Sequence, residues 1–149
     1  MKNYEIIPLH SVGPVALGMS RSQVHAVLGA CTRSFQKASG SVQPTDTWHN
    51  SAFQVSYSPD ETVEYIELSR ANDFSVACSG MAVFDTPVAL LIKRLEQLAA
   101  VDTSDPEYGY SFMFPSLELS FWRPVKEDPE LSFFSTIGIG RRGYYGTAA

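Results

Sequence analysis

The sequence predicts an α+β fold of two fused halves, each a helix followed by antiparallel strands, with both helices packed on one face of the sheet. Three observations predict it. A helix-start cassette occurs twice, each time after a glycine-anchored extended segment: Gly13 to Ser20 leads into one helix and Gly80 to Pro87 into another. About three strand-like runs follow each cassette. Both helices are apolar on one side only, so each needs a surface to bury against.

In the first half, Ser20 and Gln23 form a capping box, and Met19 and Val24 stand where a hydrophobic staple closes. Val24, Val27 and Leu28 give the apolar face and Gly29 the stop. Ala38 to Thr45, rich in Ser, Gly and Pro, reads as a loop. Phe53, Val55 and Tyr57 share one parity, Ser58-Pro59-Asp60-Glu61 supplies a turn, and Val63 to Leu68 returns as the second arm of a hairpin.

In the second half, Phe74, Val76 and Cys78 alternate and lead through Gly80 to the surest element of the chain. There Thr86 is read as the N-cap, Pro87 takes the first helical position, and Val88, Leu91, Ile92, Leu95 and Leu98 form the buried stripe. Tyr110, Phe112 and Phe114 make the next strand, Pro115-Ser116 breaks it, and Leu117, Leu119 and Phe121 make another. Arg123 to Glu130 is a loop, and a last strand runs from Phe133 to about Ile139. Residues 1–149 form a single compact domain with pseudo-repeat halves 1–70 and 71–149, since Ser69 to Asp73 is too short for a linker. A shift of 67 brings Gly13 onto Gly80, Val24 onto Leu91 and Leu28 onto Leu95, but sets Val27 on Arg94.

The stretch Leu17-Gly18-Met19-Ser20, then Val24, then Val27-Leu28-Gly29, resembles the opening of domains with the beta-lactamase-inhibitor-protein-like fold. That group includes the small lipoprotein of the outer-membrane assembly machinery. The resemblance covers residues 17–29 and implies tandem helix-plus-strands units that work by binding proteins. The chain departs from the lipoprotein pattern in lacking a signal peptide and a lipidated N-terminal cysteine.

With 149 residues, 44% hydrophobic and 18% charged, the composition is that of a globular chain able to bury a core. No apolar run is long enough for a signal h-region or a membrane span, so the expected setting is the cytoplasm, with no membrane partner. Cys31 and Cys78 are expected to remain reduced thiols. Residues 102–130 hold seven acids (Asp102, Asp105, Glu107, Glu118, Glu127, Asp128, Glu130) against Arg123 and Lys126, a local balance of −5 that equals the net charge of the chain. An acidic region argues against a nucleic-acid partner and suits a basic protein partner.

No phosphate-cradling, dinucleotide-binding, hydrolase-elbow or zincin motif is present. His10, His25 and His49 fall on different predicted elements and the cysteines form no C-x-x-C pair, so no metal site and no cofactor are expected. Cys78 with His49 is a thiol and base in search of proximity, but strand parity sends Cys78 inward, where a thiol is inert. Glu61, Glu64 and Glu67 on the hairpin offer spaced carboxylates, or simply a solvated strand edge. Arg141-Arg142-Gly143-Tyr144-Tyr145 reads as a frayed tail or as an intramolecular partner for the acidic loop.

Parity also nominates a surface. If Phe53, Val55, Tyr57, Leu117, Leu119 and Phe121 face the helices, then Gln54, Ser56, Glu118, Ser120 and Trp122 point to the other face, and Met113 joins them. Tyr65 and Glu67 join if Ile66 and Leu68 take the core, and Trp48 lies at the rim. An aromatic among Ser and Glu is a typical interface anchor. The expected function is a non-enzymatic protein-binding module, of the inhibitor or immunity type that neutralises a partner protein. The alternatives are a small hydrolase or small-ligand binder using Cys78, His49 and the hairpin glutamates, and a homodimer built on the exposed sheet face.

Overall fold

The computed structural model describes residues 1–36 and 39–146, so Ala38 of the expected loop lies outside the described residues. The first half runs β1 (Lys2–Ile7), β2 (Ser11–Val12), β3 (Val15–Ala16), α1 (Arg21–Leu28), β4 (Arg33–Phe35), β5 (Thr45–Trp48), β6 (Phe53–Tyr57) and β7 (Val63–Ser69). The second runs β8 (Phe74–Cys78), β9 (Met81–Ala82), α2 (Val88–Glu96), β10 (Ser111–Phe114), a 3-10 turn (Pro115–Leu117), β11 (Leu119–Trp122) and β12 (Thr136–Gly140). The fold is α+β and mostly sheet.

Two sheets form where one was expected. The larger is antiparallel throughout, in the order β10-β11-β12-β7-β6-β5-β4, so the two halves meet where β7 pairs with β12. The smaller, β3-β2-β1-β8-β9, contains a parallel pair, β1 with β8, in which Tyr4 lies opposite Val76. β1 escapes sequence reading because Lys2, Asn3 and Glu5 dilute its pattern, yet Tyr4 and Ile6 are buried at period two. Both halves open alike, with a strand, a tight turn containing positive φ (Gly13 in the first half, Ser79 and Gly80 in the second), a two-residue strand and a helix.

The large sheet buries one face as aligned rungs. Phe53, Leu68, Ile137, Phe121 and Phe112 are cross-strand partners, and Val55, Ile66, Ile139, Leu119 and Phe114 form the next rung. All ten are buried in one cluster with residues from both helices. A bulge at Ser56/Tyr57 lets Val63 reach the same face as Ile66 and Leu68, which removes the parity conflict on β7.

The helix ends divide. Around α1 the capping box is complete: Ser20 Oγ accepts from Gln23 N–H at 3.2 Å and Ser20 N–H donates to Gln23 Oε1 at 3.0 Å, while Gly29 closes the helix at φ +85°. Only Val24 of its expected stripe is fully buried; Val27 is exposed. For α2 the cap is Pro87 rather than Thr86, with no side-chain bond. Its first amides donate instead to backbone carbonyls of the 129–132 loop, Val88 N–H to Ser132 O at 2.9 Å and Ala89 N–H to Pro129 O at 2.8 Å, so a side-chain cap is redundant. Val88, Leu91, Ile92 and Leu95 are buried, whereas Leu98 lies past the helix end and is exposed. The last strand begins at Thr136 and β10 at Ser111, leaving Phe133 and Tyr110 exposed outside them.

Candidate functional site

Between the two core rungs runs a third that points the other way. Its members, in register, are Met113, Ser120, Gly138, Glu67, Gln54 and Thr47. Met113, Ser120, Glu67 and Gln54 are partly exposed, and Trp122, two residues along β11 from Ser120, is 40% exposed beside Ser111 and Thr136. Five predicted site residues therefore share one outer face, because alternation leaves them nowhere else to point.

Three others are placed differently. Trp48 is opposite Phe53 on the inner face, 4% exposed, with its Nε1–H donating to Gly29 O at 3.1 Å; it is a core residue and not a rim one. Glu118 precedes β11 in a left-handed conformation (φ 50°, ψ 42°) that caps the 3-10 turn, so strand parity does not govern it. Its carboxylate is buried and accepts from Gly143 N–H at 2.8 Å and Tyr145 N–H at 3.2 Å. Tyr65 is on the outer face but covered: Tyr144 stacks on it at 4.5 Å and Tyr145 meets it edge-on at 5.9 Å. Glycines at 138 and 140 make this closure possible, since a Cβ at Gly138 would strike Tyr65 and Tyr145, and one at Gly140 would strike Tyr144. Residues 143–145 are thus bound down, with Glu118 as their acidic partner.

The Trp122 end stays open and is framed by charge. Arg123, next to Trp122, is buried; its Nε–H donates to Gly109 O at 2.9 Å and its Nη1 group to Glu127 O at 2.8 Å and Ser132 Oγ at 2.5 Å, with the guanidinium 6.0 Å from the Phe112 ring centre. One side chain so ties the 102–110 loop to the 123–132 loop. The two tied loops carry Asp102, Asp105, Glu107, Glu127, Asp128 and Glu130, all exposed or half-exposed, together with exposed Tyr108, Tyr110, Val125 and Leu131. Sequence reasoning noticed the acids but not the cation that clusters them.

A second constellation escaped it altogether. Asp46, fully buried on the inner face of β5, accepts from Arg21 Nη2 at 2.8 Å and Nε at 2.9 Å, Ser34 Oγ at 2.5 Å and Tyr57 Oη at 3.0 Å, and lies 2.7 Å from His25 Nε2. Burial alone raises a carboxyl pKa; here the hydrogen bonds from Arg21, Ser34, His25 and Tyr57 outweigh it and hold the group down at about 2. Burial, and then the Asp46 charge, push the Tyr57 phenol up in turn. Arg21 and His25 stand four apart on α1, so they reach the same carboxylate from one helix face. That spacing, opposite an Asp in the apolar-poor strand Thr45-Asp46-Thr47-Trp48, was the available signal. Cys31 completes a His25–Cys31–Asp46 group whose ligand atoms lie within 4.8 Å of one another. Both Asp46 oxygens already serve the guanidinium, so a cation there has to displace Arg21; the arrangement does the work of a clasp holding α1 to the sheet.

The two members of the expected thiol–imidazole alternative are each engaged elsewhere. Cys78 is fully buried in β8, and burial pushes its thiol up to about 11. His49 Nδ1 lies 2.5 Å from Asp73 with its ring against Phe74. Glu61 sits in the hairpin turn at φ +61°, Glu64 at the bulge and Glu67 on the outer rung. No described helix is long and apolar enough to cross a membrane. Comparison with known proteins finds no match to this chain, whether among family models, curated proteins or solved structures.

Proposed function

We propose that this chain is a non-enzymatic protein-binding module that docks a basic partner on the Trp122 end of its outer sheet face, as an inhibitor or immunity-type protein in the cytoplasm does when it neutralises a target. One observation carries the reading: an exposed tryptophan on the outer sheet face, on a strand next to two loops that carry six carboxylates and that a buried arginine ties to each other. Tryptophan supplies a large rigid contact at an interface, and like-signed carboxylates around it speed and orient the approach of a cationic surface. The similar openings of the two halves suit the fused-repeat architecture on which this reading draws.

The test is capture from native cell extract on immobilised wild type and Trp122→Ala, at about 50 mM and about 500 mM salt, concentrations that bracket the screening of exposed charges. A basic protein held by the wild type at low salt, and lost with the variant and at high salt, is the expected result. No retained protein, or one held equally by both chains, contradicts the proposal. Solution mass provides the control: a dimer dissociated by Trp122→Ala gives this face to a second copy of the chain instead.

A further inference from the structure

The tail that covers Tyr65 also forms one wall of a cleft. The cleft, of about 560 Å³, lies over the β5–β6–β7 part of the outer face, between the 40–43 loop and Tyr144. That volume is in the range of small-ligand sites. Its floor includes the hydroxyls of Thr45 and Ser56, both buried and 3.1 Å apart. A hydroxyl offers one donor and two acceptor sites. The pair bond consumes one donor and one acceptor, and no further bond from either side chain to a described residue is formed, so hydrogen-bonding capacity is left at the cavity floor.

Charge selects what such a cleft can hold. Among the described residues, Glu64 is the one carboxylate in its lining, and neither Lys, Arg nor His lines it. The Glu64 carboxylate makes no hydrogen bond or ion pair to any described residue, although it is half-buried. Its closeness is felt by Tyr144, whose phenol is pushed up by burial and then by Glu64 and Glu67. Tyr144 is itself fixed by its stack on Tyr65. Among the described lining residues an anion would meet an unpaired carboxylate and no cation, whereas a cation would meet a carboxylate, an aromatic wall and acceptor oxygens together.

We propose that this cleft is a binding site for a cationic group, a guanidinium or alkylammonium, with Glu64 as counter-ion, Tyr144 as aromatic wall and the Thr45–Ser56 hydroxyls as floor. The cation has two sources with the same chemistry, a free small molecule or a basic side chain of a protein seated on this sheet face; only the second rests on the function proposed above.

The experiment is a titration of the full chain with n-butylguanidinium and n-butylammonium, followed by amide chemical shifts, with neutral n-butanol as control. Saturable shifts at Thr45, Ser56, Glu64 and Tyr144 with the cations and not the alcohol are expected. Glu64→Gln, isosteric and outside the core, should weaken them at least about tenfold, and Trp122→Ala should leave them unchanged. Absence of saturation with either cation, equal response to n-butanol, or wild-type affinity in Glu64→Gln overturns the proposal. Because the free probes do not involve Trp122, the cleft and the Trp122 surface fail independently. Given saturation by the free probes, capture of a basic partner weakened by Glu64→Gln identifies its side chain as the cation, and unchanged capture assigns the cleft to a free small molecule.

Discussion

The large sheet breaks its inside-out pattern at Asp46 on the inner face and at Trp122 on the outer, and these two are resolved in opposite ways. Asp46 is a charge where apolar residues belong, and its own chain answers it with Arg21, His25, Ser34 and Tyr57. Trp122 is a large apolar surface where polar residues belong, and the described chain leaves it 40% exposed. The chain is able to hide an outer-face aromatic, since it covers Tyr65 with Tyr144 and Tyr145. The difference separates an exception the fold satisfies internally from one it leaves open, which is the one proposed above to meet a partner.

The largest effect should come from breaking the inner exception. Asp46→Ala leaves Arg21 and Tyr57 without their acceptor beneath a helix with one fully buried apolar side chain, and should cost about 3–5 kcal/mol in chemical denaturation, as removal of one member of a buried pair does. Acid should reproduce part of that loss in the wild type. The folded pKa of Asp46 is depressed from 3.8 to about 2, so its stabilisation is present above pH 4 and fades as pH falls from about 4 to 2. The amount is about 2 kcal/mol, and Asp46→Asn should remove that share of the pH dependence in the window, leaving the part due to Asp60, Asp73 and Asp102, whose carboxyls are also held down.

The covered aromatic sharpens the contrast. Glu118→Ala removes the acceptor of two tail amides and should cost about 1–3 kcal/mol while raising hydrogen exchange at Gly143 and Tyr145. The same region should loosen in alkali. Burial raises Tyr65 from 10 to about 12, so its contribution is intact below pH 10 and is lost as pH rises towards 12. Smallest of all, Trp122→Ala should change stability by no more than about 0.5 kcal/mol, because the side chain it truncates is outside the core.

How much of this was legible follows from periodicity. The β6–β7 hairpin, the buried alternation of β8 and the outer placement of Gln54, Glu67, Met113, Ser120 and Trp122 all follow from period two and one turn signal. β5 was not legible, because Thr45, Asp46 and Thr47 are buried and polar, so no alternation marks them. Trp48 followed β5 out of reach, and Glu118 was misplaced because a left-handed residue before a strand shifts the parity count. The β1–β8 pairing joins segments about seventy residues apart with no local signature, and only tertiary structure creates it.

The central claim is that Trp122 is open in the free chain and occupied in the complex, and oxidative footprinting read by mass spectrometry tests it with Trp48 as internal reference. The account predicts rapid oxidation of Trp122 and little of Trp48 in the free protein, then protection of Trp122 alone when the captured basic partner is added. Trp122 protected in the free chain, or oxidised at the same rate with the partner bound, would contradict it.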